Sequence, residues 1–493
     1  MANPIKQLAG ETAIYGLSTI LARIVNFMLV PLYTRVLCES DYGVVSEFMA
    51  YIAILQVALV LGLETGCFRY ASKEGAQKAG AVFSNAFIAV SAICILFFAT
   101  AAIFSPSIAS AMGYGGNGRI IVYVAAILLL DNPLAILFAR LRYEHKALRF
   151  AVIKTLKIFT EVGMNLVLYL ILPARLVANP DHWMLHLVSP SPDYSYAIFA
   201  ILVSCLVCLI LMIPELFRLR FRIEKGLLTA ILAYSIPLMI SNLPGVLNDF
   251  LDRLLMRFLN ADPTAWRADL GIYQAGVKIA VIMSLFVQMF RYAAEPFFFQ
   301  RVADRDSKVL YAKVMNWFTA FCMAAFLGVM LFMDEIGLIL GRDFREGLSI
   351  APIMLMAYVL LGMLFNVNMW YKLSGKTGYA IWVTLAGLAV TVAVNVIWMP
   401  RFSYHASAWG HLASYAVMLV ISAILGARHY PVPYDWGRLA VFIVSALLIY
   451  ALSLRLPEFG IWASVAVNCA LIALYLALCA LFLKGPLRNR KFA

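Results

Sequence analysis

Apolar residues run through this chain in blocks of about twenty, broken by short polar or charged connections. A bilayer core about 30 Å thick requires roughly 20 such residues per helix. Fourteen runs meet that requirement, at about 12–34, 42–63, 81–104, 119–139, 150–172, 194–214, 227–256, 270–297, 309–333, 347–370, 379–399, 407–427, 438–455 and 460–483. None alternates with period two, the pattern of an outer-membrane barrel strand. The pattern predicts an all-α polytopic membrane protein with about 14 transmembrane helices. The first run is long and lacks a small-residue cleavage site, so it is read as a span and not as a signal peptide.

Composition agrees, with 63% apolar and only 13% charged residues; soluble domains carry roughly 45–50% and about 25%. The net charge of +13 would suggest nucleic acid in a soluble chain. Here 24 of the 39 basic residues sit on one set of connections and 9 on the opposite set. Such a bias orients membrane proteins with the basic connections inside. It predicts a multi-pass membrane protein with both termini cytoplasmic and no nucleic-acid partner. Six of the eight cysteines, including the Cys205/Cys208 pair, lie inside apolar runs and are read as small hydrophobes. No metal or other cofactor is expected.

The connections also exclude chemistry. No outer connection exceeds about twenty residues, and no Walker A, GxSxG or HExxH pattern occurs. A membrane glycan polymerase or ligase needs a larger outer loop to hold an acceptor, so that reading is disfavoured and no enzymatic activity is expected. A secondary transporter or flippase remains.

The informative residues are the ionisable ones within the runs, because a charge at the bilayer centre costs at least about 2.5–3.5 kcal/mol and usually faces a cavity or a partner. Arg23 lies near the middle of the first run with Asn26 three residues later, on the same helix face. Asp131 in the fourth run precedes Asn132-Pro133, where the helix is expected to break. Lys154, Lys157, Glu161 and Asn165 form one polar stripe on the fifth run. The seventh run carries Asn242, Asp249, Asp252 and Arg253, with Pro237 and Pro244 predicting a bend. The eighth carries Gln274 and Lys278 at mid-depth, and Arg291 and Glu295 near its end as a surface pair. Arg23, Lys278, Lys157 and Asn26 are the candidate substrate contacts, since buried cations suit an anionic cargo. Asp131, Glu161, Asp249, Asp252 and Arg253 are candidates for gating or for coupling to H+ or Na+.

The block from Arg35 to Tyr70, with Asp41-Tyr42-Gly43 and a closing Phe68-Arg69-Tyr70, is echoed from Arg257 to Tyr292 by Asp269-Leu270-Gly271 and Phe290-Arg291-Tyr292. The echo fits two six-helix bundles in the same orientation. Pro31-Leu32-Tyr33-Thr34-Arg35-Val36-Leu37 with Asp41-Tyr42-Gly43, Gly62-Leu63-Glu64 with Phe68-Arg69-Tyr70, and Leu270-Gly271-Ile272-Tyr273 with Lys278 resemble the signatures of bacterial oligosaccharide flippases. These belong to the multidrug/oligosaccharidyl-lipid/polysaccharide exporter superfamily. The resemblance implies two six-helix lobes in a V, at 1–215 and 216–427, with two further helices and a tail at 428–493. It implies alternating access and a cargo of undecaprenyl-pyrophosphate-linked oligosaccharide for O-antigen, capsule or exopolysaccharide assembly. Arg23 and Lys278 match positions implied to meet the pyrophosphate, and the last two helices match ones that border a groove for the lipid tail. Membrane lipid and polysaccharide polymerase machinery are the implied partners. The fuller set of central arginines of the lipid II branch is not found, which disfavours lipid II as cargo. The alternative within the superfamily is a cation-coupled multidrug exporter, normally of twelve spans with an acidic cavity.

Overall fold

A computed structural model describes residues 16, 20, 21, 23–74, 76–115, 117–178, 183–189, 191–219, 221–301, 306–457 and 460–484. Residues 12–15, 17–19 and 22 of the first expected span and both termini lie outside these residues. The described residues are overwhelmingly helical and include no strand.

Thirteen helices are long and apolar enough to cross a membrane. They are Glu39–Lys73, Lys78–Ile103, Gly118–Tyr143, Ala147–Leu176, Tyr194–Leu216, Lys225–Leu259, Trp266–Phe299, Ser307–Leu331, Arg342–Leu373, Tyr379–Phe402, Tyr404–His429, Trp436–Ser453 and Trp462–Leu483. Each coincides with one of the second to fourteenth runs, so they are called the second to fourteenth spans. A helix satisfies its backbone polar groups within a single segment and without water, which is why hydropathy alone located them. Large apolar side chains remain on the outside, for example Trp462 at 85% exposure and Trp382 at 70%, as expected for helices in contact with lipid.

Two compact units divide at Leu254/Leu255, inside the seventh span. The reason is visible in the first unit. Leu61 (φ 55°) and Gly62 (φ 68°) take left-handed backbone between the helices Glu39–Val60 and Leu63–Glu74. Gly62 and Gly66 then form a small-xxx-small step on which the seventh span rests. A Cβ on Gly62 would lie 2.7 Å from the Ser235 carbonyl, and one on Gly66 2.0 Å from the Ser235 hydroxyl. Arg69 caps this seam by lying over the Tyr234 ring at 4.1 Å. Below it, Phe83, Phe138, Phe150 and Cys208 belong to one buried cluster.

In the second unit the eighth span packs against the 3-10 segment Arg342–Ile350 through a second glycine contact. A Cβ on Gly276 would sit 2.1 Å from the Gly347 carbonyl. Arg291, the counterpart of Arg69 in the sequence echo, also lies over an aromatic ring, that of Phe365 at 4.8 Å. The expected Arg291–Glu295 pair is present at 3.6 Å, and Lys372 joins it at 2.6 Å from Glu295.

One expectation is corrected. The fourth span does not break at Asn132-Pro133 but runs as one helix from Gly118 to Tyr143 with Pro133 inside. Asn132 is fully buried there and donates to the Cys94 sulfur at 3.5 Å. Packed neighbours hold a proline-containing turn that an isolated helix would lose. The seventh span likewise continues through Pro237 and Pro244 as a single helix.

Candidate functional site

In the first unit the polar stripe of the fifth span turns toward its neighbours. Lys157 donates to Asp131 of the fourth span, and Gln56 of the second donates to the same carboxylate at 3.1 Å. Lys157 and Asp131 keep only 18% and 24% of their side-chain exposure. Lys154, one turn away, lies 5.4 Å from the ring centres of both Phe138 and Phe150, a pair of cation–π contacts. Farther along, Asn165 donates to the Glu161 carbonyl at 2.8 Å and accepts from the Tyr33 hydroxyl at 2.8 Å. Four spans thus contribute to one polar seam through the membrane interior of this unit. Lys157, read from the sequence as a substrate cation, is committed to Asp131 in this conformation.

Arg23 is exposed in a helical turn and Asn26 is partly buried. The side-chain oxygen of Asn26 is buried without a hydrogen-bond partner. On the seventh span Asn248 and Asp252 are buried, at 2% and 0%, whereas Asp249 is exposed. Arg253 lies over the Phe250 ring at 4.8 Å. Tyr42 of the second span is buried within electrostatic reach of Arg253.

In the second unit the eighth span is buried on most sides. Gln274 and Lys278 are only half-buried, while Tyr273, Ala275, Val277 and Ile279 are buried at 3% or less. At about 100° per residue, Arg267, Gln274 and Lys278 fall within about 40° of one another. They make a polar stripe on one face of an otherwise packed helix.

Sequence reading missed two participants. Gln56 is an uncharged residue inside an apolar run, and nothing in its spacing points to Asp131. Glu215 lies one residue past the sixth run as read. It is fully buried and bound by Arg149 at 2.6 Å, Arg218 at 3.0 Å and Lys146 at 3.8 Å. Its signal was present in the surrounding basic residues, which topology alone had seemed to explain.

Known proteins bear on this arrangement. The model of the polysaccharide biosynthesis protein family matches residues 8–302, a stretch that holds both Arg23 and Lys278. No curated protein sequence matches the chain. Among solved structures, the lipid II flippase MurJ in an inward closed conformation is similar, with a TM-score of 0.72 at 10% identity over 94% of this chain and 97% of that one. An inward-facing multidrug resistance MATE family transporter of the MOP superfamily gives 0.62 at 14% identity, covering 87% and 95%. A MOP superfamily transporter from Pyrococcus furiosus, with a binding pocket of reverse polarity, gives 0.54 at 14% identity, covering 89% and 96%. At these identities the likeness is one of fold.

Proposed function

Because the chain belongs to the polysaccharide biosynthesis protein family, a family of membrane transporters and flippases in the MOP superfamily, we propose that it flips an undecaprenyl-pyrophosphate-linked oligosaccharide across the bacterial inner membrane. The cargo would serve O-antigen, capsule or exopolysaccharide assembly, ahead of a membrane polymerase. Movement is by alternating access of lobes 1–215 and 216–427, with 428–493 beside the lipid tail and both termini cytoplasmic. No covalent step is required.

The observation that carries this reading is the family match over residues that include Arg23 and Lys278. Each offers a cation to a pyrophosphate, and charge-assisted contacts to phosphate offset the desolvation of both groups. Asn26, three residues on from Arg23, carries an amide NH2 group that can donate to a phosphate oxygen. Asp131 is the coupling group that the contacts favour. A proton on its carboxylate removes the charge that holds Lys157, and the released ammonium becomes available to the anionic headgroup. Glu161, Asp249, Asp252 and Arg253 remain gating candidates.

A depletion strain tests the function. Lipid-linked repeat units accumulate on the cytoplasmic leaflet when a flippase is lost. Accumulation of unpolymerised units on the outer leaflet would instead assign the chain to polymerisation. A multidrug exporter would leave the lipid-linked pool unchanged and alter sensitivity to cationic drugs.

A further inference from the structure

At the basic end of the first unit a cavity of about 600 Å³ lies between the start of the third span, the end of the fourth and the segment that leaves the sixth. Its charged lining is Lys78, Arg140, Arg218 and Arg222 against Glu144 and Glu224, an excess of two positive charges. Two of the cations are held by carboxylates, one within the lining and one behind it. Arg140 binds Glu144 at 2.6 Å, and Arg218 binds the fully buried Glu215 at 3.0 Å. Gly80 leaves its side of the wall bare, since a Cβ there would meet nothing within 4 Å.

Arg218, Arg222 and Glu224, on the stretch that leaves the sixth span, line one side of the cavity, and the described residues beside them have a distinct pattern. Phe217, Phe221 and Ile223 are exposed at 82%, 65% and 51%, alternating with Arg218 and Arg222, while Leu219 is buried. The far end is pinned by a 2.9 Å bond from the Glu224 amide to the buried Asn85 side chain. Exposed rings interleaved with arginines at the end of a span mark headgroup depth. The rings enter the acyl region and the guanidinium groups meet phosphates. A basic pocket between spans at that depth has the chemistry of a phospholipid headgroup site.

We propose that this cavity binds the phosphodiester headgroup of an anionic phospholipid from the surrounding bilayer, its acyl chains lying along Phe217 and Phe221. Lipid-borne phosphate is the shared chemistry of two sources, bilayer phospholipid and the pyrophosphate of a polyprenyl carrier. With Arg218 already neutralised by the buried Glu215, the excess falls to one, which matches the single charge of a phosphodiester better than the two of a pyrophosphate diester. The site stands whether or not the proposed cargo is right, because its test reads binding and not transport.

The test uses the purified full-length protein, stripped of lipid in detergent and followed by native mass spectrometry with phosphatidylglycerol, phosphatidylcholine or undecaprenyl pyrophosphate. Phosphatidylglycerol is retained and phosphatidylcholine is not. Arg222→Ala, at an exposed position, weakens phosphatidylglycerol retention by about five- to tenfold. Gly80→Leu fills the cavity without changing its charge and weakens retention to a similar degree. Equal retention of the two phospholipids, or phosphatidylglycerol retention unchanged in both variants, overturns the proposal. Variant-sensitive binding of undecaprenyl pyrophosphate with no retention of phosphatidylglycerol assigns the pocket to the carrier and overturns the phospholipid source.

Discussion

Lys157 of the fifth span and Asp131 of the fourth form an ion pair across the membrane interior of the first unit, with Gln56 of the second span as a third partner. Neither charge is tolerable there alone. Breaking a buried pair by removing one partner costs about 3–5 kcal/mol, whereas replacing both is often neutral. Asp131→Asn and Lys157→Gln are each expected to lower the unfolding midpoint in detergent, toward the smaller end of that range because both side chains retain some exposure. The double variant recovers most of the loss. Additive losses in the double variant count against a coupled pair.

The coupling role of the same pair has a separate readout. Asp131→Asn mimics the protonated carboxylate and frees Lys157. Flipping in reconstituted vesicles is then expected to lose its dependence on an imposed pH gradient while headgroup binding persists. An unchanged gradient dependence removes Asp131 from the coupling mechanism.

Arg23→Ala and Lys278→Ala are each expected to reduce surface polysaccharide at least about tenfold at normal protein levels, the loss of one charge-assisted phosphate contact being worth about 1.5–3 kcal/mol. Lys278→Arg retains the charge and part of the function. Wild-type polysaccharide in both alanine variants refutes their assignment as substrate contacts.

Gly62 holds left-handed backbone directly against the Ser235 carbonyl. Gly62→Ala is therefore expected to destabilise the first unit by about 1–3 kcal/mol, from backbone strain and a clash that no side-chain rotation relieves. Gly80→Ala, with open space around its Cβ, serves as the control and leaves the unfolding midpoint within error.

Glu144 sits in the connection between the fourth and fifth spans. Burial raises its pKa, but hydrogen bonds from Lys146 and Arg140 outweigh that effect and hold it below the ordinary carboxylate range. A carboxyl depressed in the folded state stabilises above its unfolded pKa, and that contribution is lost as pH falls through the folded value. Stability of this end is thus full at neutral pH and declines on acidification below about pH 4. Glu144→Gln is expected to flatten the acid limb of the unfolding midpoint against pH. An acid limb identical to wild type removes Glu144 as its source.

The placement of the second to fourteenth spans was legible because each depends on a local run of apolar residues. The polar stripe at Lys154, Lys157, Glu161 and Asn165 was legible as a face of one helix, since its spacing is set by helical geometry. The partners of that stripe were not. Asp131 is 26 residues from Lys157 and Gln56 is 75 from Asp131, and one span's hydropathy says nothing about which neighbour it meets. The proline at 133 misled for a related reason. Local chemistry predicts a break there, and burial by adjacent spans prevents it.

Hydrophobic length and the distribution of lysine and arginine were enough to decide that this chain is a bundle of membrane helices, because those terms are summed along the chain residue by residue. Packing decided the rest. Which charges neutralise one another, where Gly62 and Gly66 admit the seventh span, and how Lys78, Arg140, Arg218 and Arg222 gather into a pocket all depend on contacts between helices distant in sequence, and such contacts exist only once the helices have assembled.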